Sequence, residues 1–206
     1  GVAGTANLPA LRDRLNAGLR RIAYFVVPSA VAFLCLGDVT AAAIFQTGQF
    51  THDGALFVWA ILAGSAVGLL AATLGRLYSS TYYALRDTRT PLRYAVIRVV
   101  ATTVLGYLSA IVLPPMLGVE LRWGTAGLTA SAGVSGWIEF ALLRRTLNRR
   151  LGRTGLPASL VAQLWASAAI GAAAGWLVKL AVPTRQPILL AATVLIPYGM
   201  VYLGMT

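Results

Sequence analysis

The chain has 206 residues, of which 58% are hydrophobic and only 11% are charged, with a mean hydropathy of +0.74. Water-soluble domains carry about 25% charged residues, so this composition excludes an ordinary soluble enzyme, a disordered tail and a coiled coil. The single cysteine, Cys35, excludes a disulfide framework. The formal net charge of +11 leaves two kinds of partner open, nucleic acid or the inner face of a membrane. The chain begins at Gly1 without a signal peptide, so we expect it to be a piece of a longer protein.

Stretches of about 20 apolar residues are long enough to cross a bilayer as helices. The apolar stretches of this chain lack the strict alternation of lipid-facing strands, and only a helix satisfies its own backbone hydrogen bonds in hydrocarbon. We therefore predict an all-α fold, a polytopic membrane helix bundle with six transmembrane helices. In chain order, the six segments are 22–45, 55–75, 99–119, 123–143, 154–178 and 186–206.

The first segment is the least regular of the six. It is apolar only over 22–37 and reaches a full span by running on past Asp38 to Phe45. Pro28 lies inside it and predicts a kink, because proline removes one backbone hydrogen bond. The preceding residues, 8–21, are basic and amphipathic, so we predict a lead-in at the inner membrane surface that anionic membrane lipids attract.

The cations are distributed unevenly between alternate loops. Thirteen arginines lie before the first span, between the second and third, and between the fourth and fifth, whereas the opposite loops hold three cations. This asymmetry is what the positive-inside rule predicts, with both ends of the chain cytoplasmic and 46–54 outside. Binding to nucleic acid requires one continuous basic face, so we expect no nucleic-acid partner.

Three short patterns predict local structure within this framework. The spacings Gly64-xxx-Gly68 and Gly171-xxx-Gly175 are typical of close helix packing in membranes. Thr90-Pro91 predicts the start of the third helix, with Thr90 as the capping residue and Pro91 at the first helical position.

Residue types that carry out enzymatic chemistry are scarce. The only histidine, His52, has no cluster of cysteines or carboxylates near it in the sequence. The sequence also contains no glycine-rich phosphate loop and no nucleophile elbow. We therefore expect no catalytic residues, no metal site, no cofactor and no enzyme activity.

Ionisable residues at membrane depth are functional candidates because they are costly there. Glu139 either pairs with Arg144 or Arg145 at the inner interface or lines a transport cavity. Arg76 either extends to the inner surface or faces a cavity as a cation for an anionic substrate. Arg98 lies about one turn inside the third span, where extension to the surface is favoured over a place in the cavity. Composition alone therefore leaves a transporter or a membrane scaffold.

Two motifs favour one family. The segment FQTGQFT follows the first span at 45–51, and YYALRDTRTP links the second span to the third at 82–91. In this order and separation they resemble the MurJ/MviN family of lipid II flippases, which has an LF-x-x-G-x-F-T turn and an FYA-x-x-DT-x-TP loop. Arg76 stands at the family's basic position six residues before the aromatic pair, and the resemblance covers about 8–153. The residues that carry the two loop motifs are Phe45, Gly48, Phe50, Asp87, Thr90 and Pro91.

The resemblance implies helices nine to fourteen of a fourteen-helix transporter of the multidrug/oligosaccharidyl-lipid/polysaccharide exporter superfamily, in the bacterial plasma membrane. The implied units are a cytoplasmic lead-in (1–21), four transmembrane helices of the C-terminal lobe (22–153), and two terminal helices (154–206) that form a groove for a lipid tail. The implied function is to move the undecaprenyl-pyrophosphate-linked peptidoglycan precursor, lipid II, from the inner to the outer leaflet by alternating access. The implied partners are lipid II, cell-wall regulatory proteins and the missing N-terminal half of the same chain. That half carries most of the family's substrate-contacting arginines. Two alternatives stay open, namely an exporter of another polyprenyl-linked glycan and a non-transporting scaffold for cell-wall regulators.

Overall fold

The computed structural model describes residues 8–45, 52–182 and 186–206. These residues form helices and connecting turns without a strand, which confirms the all-α prediction. A π-helical turn, Leu108–Val112, joins α4 to α5, and a 3₁₀ turn, Leu121–Trp123, precedes α6. The helices are α1 Leu8–Cys35, α2 Gly37–Phe45, α3 His52–Ala84, α4 Arg89–Tyr107, α5 Leu113–Met116, α6 Gly124–Leu151, α7 Ala158–Ala181 and α8 Pro187–Met205.

Six of the described segments are long and apolar enough to cross a membrane, which confirms the predicted number. Most extend beyond the predicted boundaries. The predicted fifth span starts too early, because residues 154–157 lie in the loop before α7. The six observed segments are Leu8–Phe45, Asp53–Ala84, Arg89–Met116, Leu121–Leu151, Ala158–Ala181 and Pro187–Met205.

Residues 8–21, predicted as a lead-in at the membrane surface, are the first part of α1 and not a helix of their own. Leu15 and Leu19 are buried, and Ala23 and Val27 continue the same four-residue spacing into the span. A stripe at this spacing lies on one face of a helix, so α1 presents one continuous apolar face to the core. The helix continues through Pro28 and is interrupted only at Leu36.

Two helix backbones approach each other very closely where α3 crosses α6, and these helices also form the most extensive contact of the bundle. A Cβ atom added to Gly68 would lie 2.3 Å from the Gly133 Cα atom, and one added to Gly64 would lie 2.6 Å from the Ala126 carbonyl oxygen. Only residues without a side chain permit backbones to approach this closely. The Gly64-xxx-Gly68 prediction is therefore confirmed, with α6 as the partner helix.

The last two helices pack on each other and dock on α1 and α2. Gly171 lies against the Tyr198 carbonyl oxygen, at 3.0 Å from an added Cβ, which confirms the second small-residue prediction. The Tyr202 hydroxyl donates a hydrogen bond of 2.6 Å to the Tyr24 carbonyl. That carbonyl lacks its usual helical donor because the residue four positions on is Pro28. Tyr202 thus satisfies the acceptor that the proline leaves free and fixes α8 to α1.

Replacing Tyr202 by phenylalanine should lower the free energy of unfolding by about 1 kcal/mol, because the Tyr24 carbonyl then has no donor in an apolar setting. Thermal unfolding of the complete protein in detergent measures this effect. Tyr198→Phe is the matched control, since it removes a 2.6 Å bond to the Pro28 carbonyl, which keeps its helical donor at Ala32. A larger loss of stability in Tyr198→Phe than in Tyr202→Phe would contradict this account.

Candidate functional site

Polar side chains join α4 to α6 along the two antiparallel helices. Three contacts follow one another along the helices, and the first and the last are ion pairs. Charged groups therefore hold the two helices together at two separate levels. The three contacts are Arg150 Nη1 to Asp87 Oδ2 (2.7 Å), the hydroxyls of Tyr94 and Thr146 (2.6 Å), and Arg98 Nη1 to Glu139 Oε2 (3.1 Å).

Glu139 pairs with Arg98, which corrects the expectation that its partner is Arg144 or Arg145. Side chains three or four residues apart share one face of a helix, whereas these two arginines are five and six residues beyond Glu139. Arg144 points instead to the loop after α6, where its Nε donates to the Thr154 carbonyl at 3.3 Å. The sequence-based interpretation missed the pairing because Arg98 comes from another helix.

The ion pair of Arg98 and Glu139 lines a surface pocket of about 410 Å³. The pair lies eleven residues along each helix from the Asp87–Arg150 pair, or ~16 Å at about 1.5 Å per residue. That is about half the ~30 Å thickness of the hydrocarbon layer. The pocket is completed by Ala95, Val99, Thr102, Thr103 and Ala132.

Arg76 lies apart from this pair. Its side chain is exposed and lines a separate pocket of about 390 Å³ between α1 and α3. Within the described residues, no ion pair or hydrogen bond to Arg76 is found. Thr73 and Ser80 line the same pocket, and the other lining residues, Ile22, Val26 and Leu77, are apolar. The structure therefore brings together two of the three residues predicted for the substrate path and leaves the third elsewhere.

The second motif forms the connection between α3 and α4. The Thr90 backbone N–H and hydroxyl donate to the two oxygens of Asp87, at 3.0 and 2.8 Å. These two bonds, with the Arg150 guanidinium, lower the pKa of Asp87 to about 2. The capping side chain is thus that of Asp87, one residue before the N-cap position at Thr88, which corrects the prediction that Thr90 caps this helix. Pro91 is the third residue of α4, where the missing N–H has no helical partner to lose.

The first motif is only partly described. Phe45 is the last residue of α2. Gly48 and Phe50 lie outside the described residues. Its predicted role as a turn between the first two spans therefore stays a prediction.

A groove of about 950 Å³ runs along α7 and is almost wholly apolar. One end carries an ion pair between Lys179 and Asp38, and Lys179 also lies 5.8 Å from the centre of the Trp176 ring. Asp38 and Lys179 are lone charges of opposite sign at the ends of two apolar spans, so the sequence contained a signal for this pair. The groove is lined by Val31, Leu34, Cys35, Asp38, Trp59, Trp165, Ala169, Ala172, Ala173, Trp176, Leu177 and Lys179.

The resemblance implied a lipid-tail groove formed by the last two helices. Of these two, only α7 contributes to the lining described above, and α1, α2 and α3 supply the remaining residues. Helix α8 packs behind α7, with Val194 and Tyr198 buried at that contact. Within the described residues, the apolar groove that could hold a hydrocarbon chain therefore lies between α7 and the first three helices.

Groups that bind metal ions are sparse in the part of the chain that the structure describes. No three His, Cys, Asp or Glu side chains of that part lie close enough together to hold an ion. The polar groups of the α4–α6 pocket are instead a guanidinium, a carboxylate and two threonine hydroxyls. A guanidinium with hydroxyl neighbours is suited to bind an anion with phosphate-type oxygens.

Comparison with known proteins gives a consistent match. The family model described as lipid II flippase MurJ matches residues 2–201. The chain is 30% identical over 135 residues to a probable lipid II flippase MurJ of Rhizobium tropici, covering 66% of this chain and 24% of that protein. It is 29% identical over 178 residues to the corresponding Rhizobium meliloti protein, covering 83% and 31%. The family match thus continues past residue 153 into the last two spans.

The fold has a counterpart among solved structures. A structure of lipid II flippase MurJ in an inward closed conformation superposes with a TM-score of 0.76 and 19% identity. The match covers 95% of this chain and 38% of that one. The chain therefore spans about a quarter to a third of the curated relatives and adopts the fold of a corresponding part of the solved one.

Proposed function

The chain belongs to the MurJ family of lipid II flippases, and from this membership we propose that it is part of a transporter of lipid II. The complete protein moves the undecaprenyl-pyrophosphate-linked peptidoglycan precursor from the inner to the outer leaflet by alternating access. The chain spans only 24% and 31% of the two relatives described above, so transport belongs to the whole protein. The six spans described here act together with the N-terminal half.

The observation that carries this proposal is the Arg98–Glu139 pair, which lines an open pocket ~16 Å from the Asp87–Arg150 pair along α4 and α6. Charged groups at membrane depth are rare and mark substrate pathways. A pyrophosphate joined to sugars cannot cross hydrocarbon unaided, and it needs cations along a shielded route. Arg98 and Glu139 therefore belong to the substrate path in this proposal, and Arg76 contributes a second cation to it.

The lipid tail needs an apolar route beside the polar one. The groove of about 950 Å³ along α7 has this character, because its lining is apolar apart from the ion pair at one end. Apolar pockets with a few polar groups at a defined position are typical of lipid and cofactor sites. We place the undecaprenyl tail in this groove while the head group occupies the polar pocket.

The six spans make the chain a multi-pass membrane protein, and its orientation is part of the proposal. The Asp87–Arg150 pair and the bond from Gly155 N–H to the Asn16 amide bring three arginine-rich segments to one end of the bundle. We call this the basic end. The positive-inside rule places it, with both ends of the chain, in the cytoplasm, next to anionic membrane lipids. Transport in this proposal involves no covalent chemistry, metal or cofactor.

The experiment that tests the function uses the complete gene in bacteria depleted of their own lipid II flippase. The measured quantity is the lipid II that an extracellular probe can reach, together with growth. We expect both to be restored. A protein that is well expressed and inserted but restores neither would refute the flippase proposal and favour another polyprenyl-linked glycan or a scaffold.

Replacing Arg76 by alanine in the complete protein should lower the exposed lipid II by roughly tenfold, because a cation of the path is lost. Arg76→Lys should keep most of the activity, since it retains the charge. Arg122→Ala is the matched control, because Arg122 is an exposed arginine at the opposite end of the bundle. Wild-type exposure in Arg76→Ala would reduce Arg76 to an anchor at the membrane interface.

A further inference from the structure

The hydrogen-bonding capacity of Arg98 is largely unused. A guanidinium has five N–H donors. Within the described residues Arg98 gives only one of them to a partner, the 3.1 Å bond from Nη1 to Glu139 Oε2. Its side chain is 41% exposed and lines the pocket of about 410 Å³. The remaining donors are thus available to a molecule that enters this pocket.

The two partners of the ion pair are held very differently. Glu139 is only 14% exposed and belongs to α6, which packs along its length on α3 and α4. Arg98 belongs to α4, which packs mainly on α6. In the most apolar part of this span only 6% of the residues are buried. A single end-on bond is weaker than a two-bond pairing of guanidinium and carboxylate. Arg98 can therefore leave Glu139 by a change of side-chain rotamer, while Glu139 stays in place.

A second donor lies beside Arg98 on the same helix face. Thr102 is four residues farther along α4 and lines the same pocket. Its hydroxyl makes no hydrogen bond in the part of the chain that the structure describes. The neighbouring Thr103 hydroxyl, in contrast, donates to the Val99 carbonyl at 3.0 Å. A guanidinium and a free hydroxyl one turn apart can contact two oxygens of one phosphate-type anion.

We propose that Glu139 is an internal competitor for the substrate anion. It neutralises Arg98 while the pocket is empty, and the pyrophosphate of the lipid-linked substrate displaces it from Arg98 when the pocket is filled. This inference rests on the proposed flippase function. It adds to that function an explanation of how the empty transporter can return to its inward-facing state with Arg98 neutralised. Without Glu139, Arg98 would be an unpaired cation at membrane depth after each release.

The competition also sets how tightly the anion is held. When the pyrophosphate binds Arg98, Glu139 loses its partner and its negative charge lies next to that of the anion. Both effects weaken binding, so the substrate is released on the far side of the membrane. Replacing Glu139 by glutamine removes the competing charge and the repulsion, and it leaves Arg98 free for the anion.

The test measures binding of inorganic pyrophosphate to the complete protein in nanodiscs of phosphatidylcholine by titration calorimetry. We expect Glu139→Gln to bind pyrophosphate more tightly than wild type, on the order of tenfold. The gain should disappear in the double variant Arg98→Gln/Glu139→Gln, because it acts through Arg98. Glu120→Gln is the matched control, since it removes the same charge from the exposed pair of Glu120 and Arg122.

Each other outcome has a defined meaning. Unchanged or weaker pyrophosphate binding in Glu139→Gln would overturn the proposal and make the pair a structural contact. If Glu139→Gln does not fold, Glu139→Asp serves instead, because the shorter side chain lengthens the pair and should give a smaller gain in affinity. Loss of the gain when phosphatidylglycerol is added to the nanodiscs would assign the pocket to phospholipid head groups and overturn the assignment to substrate.

Failure of this inference can be told apart from failure of the proposed function. If the wild-type gene restores lipid II exposure in depleted cells but Glu139→Gln gains no affinity, only the competition is wrong. If the wild-type gene restores nothing, the flippase proposal and the substrate role of the pocket are both wrong. Slower turnover in Glu139→Gln cells, together with tighter pyrophosphate binding, would support both.

Discussion

Replacing Gly68 by valine in the complete protein is expected to leave little folded protein in the membrane. An added Cβ at this position would lie 2.3 Å from the Gly133 Cα atom and 3.3 Å from its nitrogen. Both are backbone atoms, so no side chain can rotate away and α3 and α6 have to separate. Helices in a bilayer associate through close packing, which this separation removes along the most extensive contact of the bundle. We expect a loss of about 3 kcal/mol, at the upper end of the range for overpacking.

The measurement is thermal unfolding in detergent, followed by size-exclusion chromatography of the fluorescently tagged complete protein. Gly75→Ala is the matched control, because Gly75 lies on the same helix and an added Cβ meets no atom within 4 Å. Alanine also favours a helix over glycine by about 1 kcal/mol, so this control should unfold at or above the wild-type temperature. A Gly68→Val protein that unfolds like wild type would show that the two helices do not approach as closely as described.

The crossing of α3 and α6 shows what one sequence can and cannot predict about helix packing. The spacing Gly64-xxx-Gly68 predicted a small-residue face on α3, because glycine spacing depends only on the helix period. The partner residue, Gly133, could not be predicted, because α6 has several small residues. Which of them faces α3 depends on how the helices pack in three dimensions. The same limit applies to Arg98 and Glu139, which are forty-one residues apart and meet only because α4 and α6 are antiparallel neighbours.

The helix ends differ from the predicted ones for a physical reason. A search for charge-free segments finds the part of a helix that lies in hydrocarbon. Arginine side chains extend several ångströms toward water, so a helix continues through them beyond that layer. Helix α1 therefore begins at Leu8 and not near Ile22, and α6 continues to Leu151. The number and order of the spans were predicted correctly, because they require only that each apolar segment be long enough to cross the hydrocarbon layer.

The loop motif at the basic end was predicted in sequence but not in its contacts. The motif residues Asp87, Thr90 and Pro91 were recognised by their spacing. This was possible because they lie within five positions of one another, in the connection between two helices. The pairing with Arg150 joins residues sixty-three positions apart and needs the α4–α6 register. The motif thus combines a local cap with a long-range ion pair, and the sequence predicted only that a helix starts here, with the wrong capping residue.

Replacing Asp87 by alanine should lower the midpoint of thermal unfolding of the complete protein by about 1 °C, because a helix loses its cap and the unfolding entropy of the complete protein is several times that of this chain. The substitution removes both bonds from Thr90 and the 2.7 Å ion pair with Arg150 in one step. Asp87→Asn keeps an acceptor for Thr90 but loses the charge, so it should have an intermediate midpoint. Asp13→Ala is the matched control, because the Asp13–Arg12 pair is 3.6 Å long and Asp13 is 71% exposed.

The pH dependence gives this prediction its sharpest test. The pKa of Asp87 is about 2 in the folded protein, below its usual value of 3.8, so the folded state favours the ionised carboxylate. The stabilisation is fully present above the usual pKa and is lost as the pH falls from there toward 2. The difference in midpoint between wild type and Asp87→Ala should thus be equal at pH 8 and pH 5 and should narrow below about pH 4. A difference that already disappears between pH 7 and pH 5 would mean that Arg150 and Thr90 do not hold this carboxylate in the folded protein.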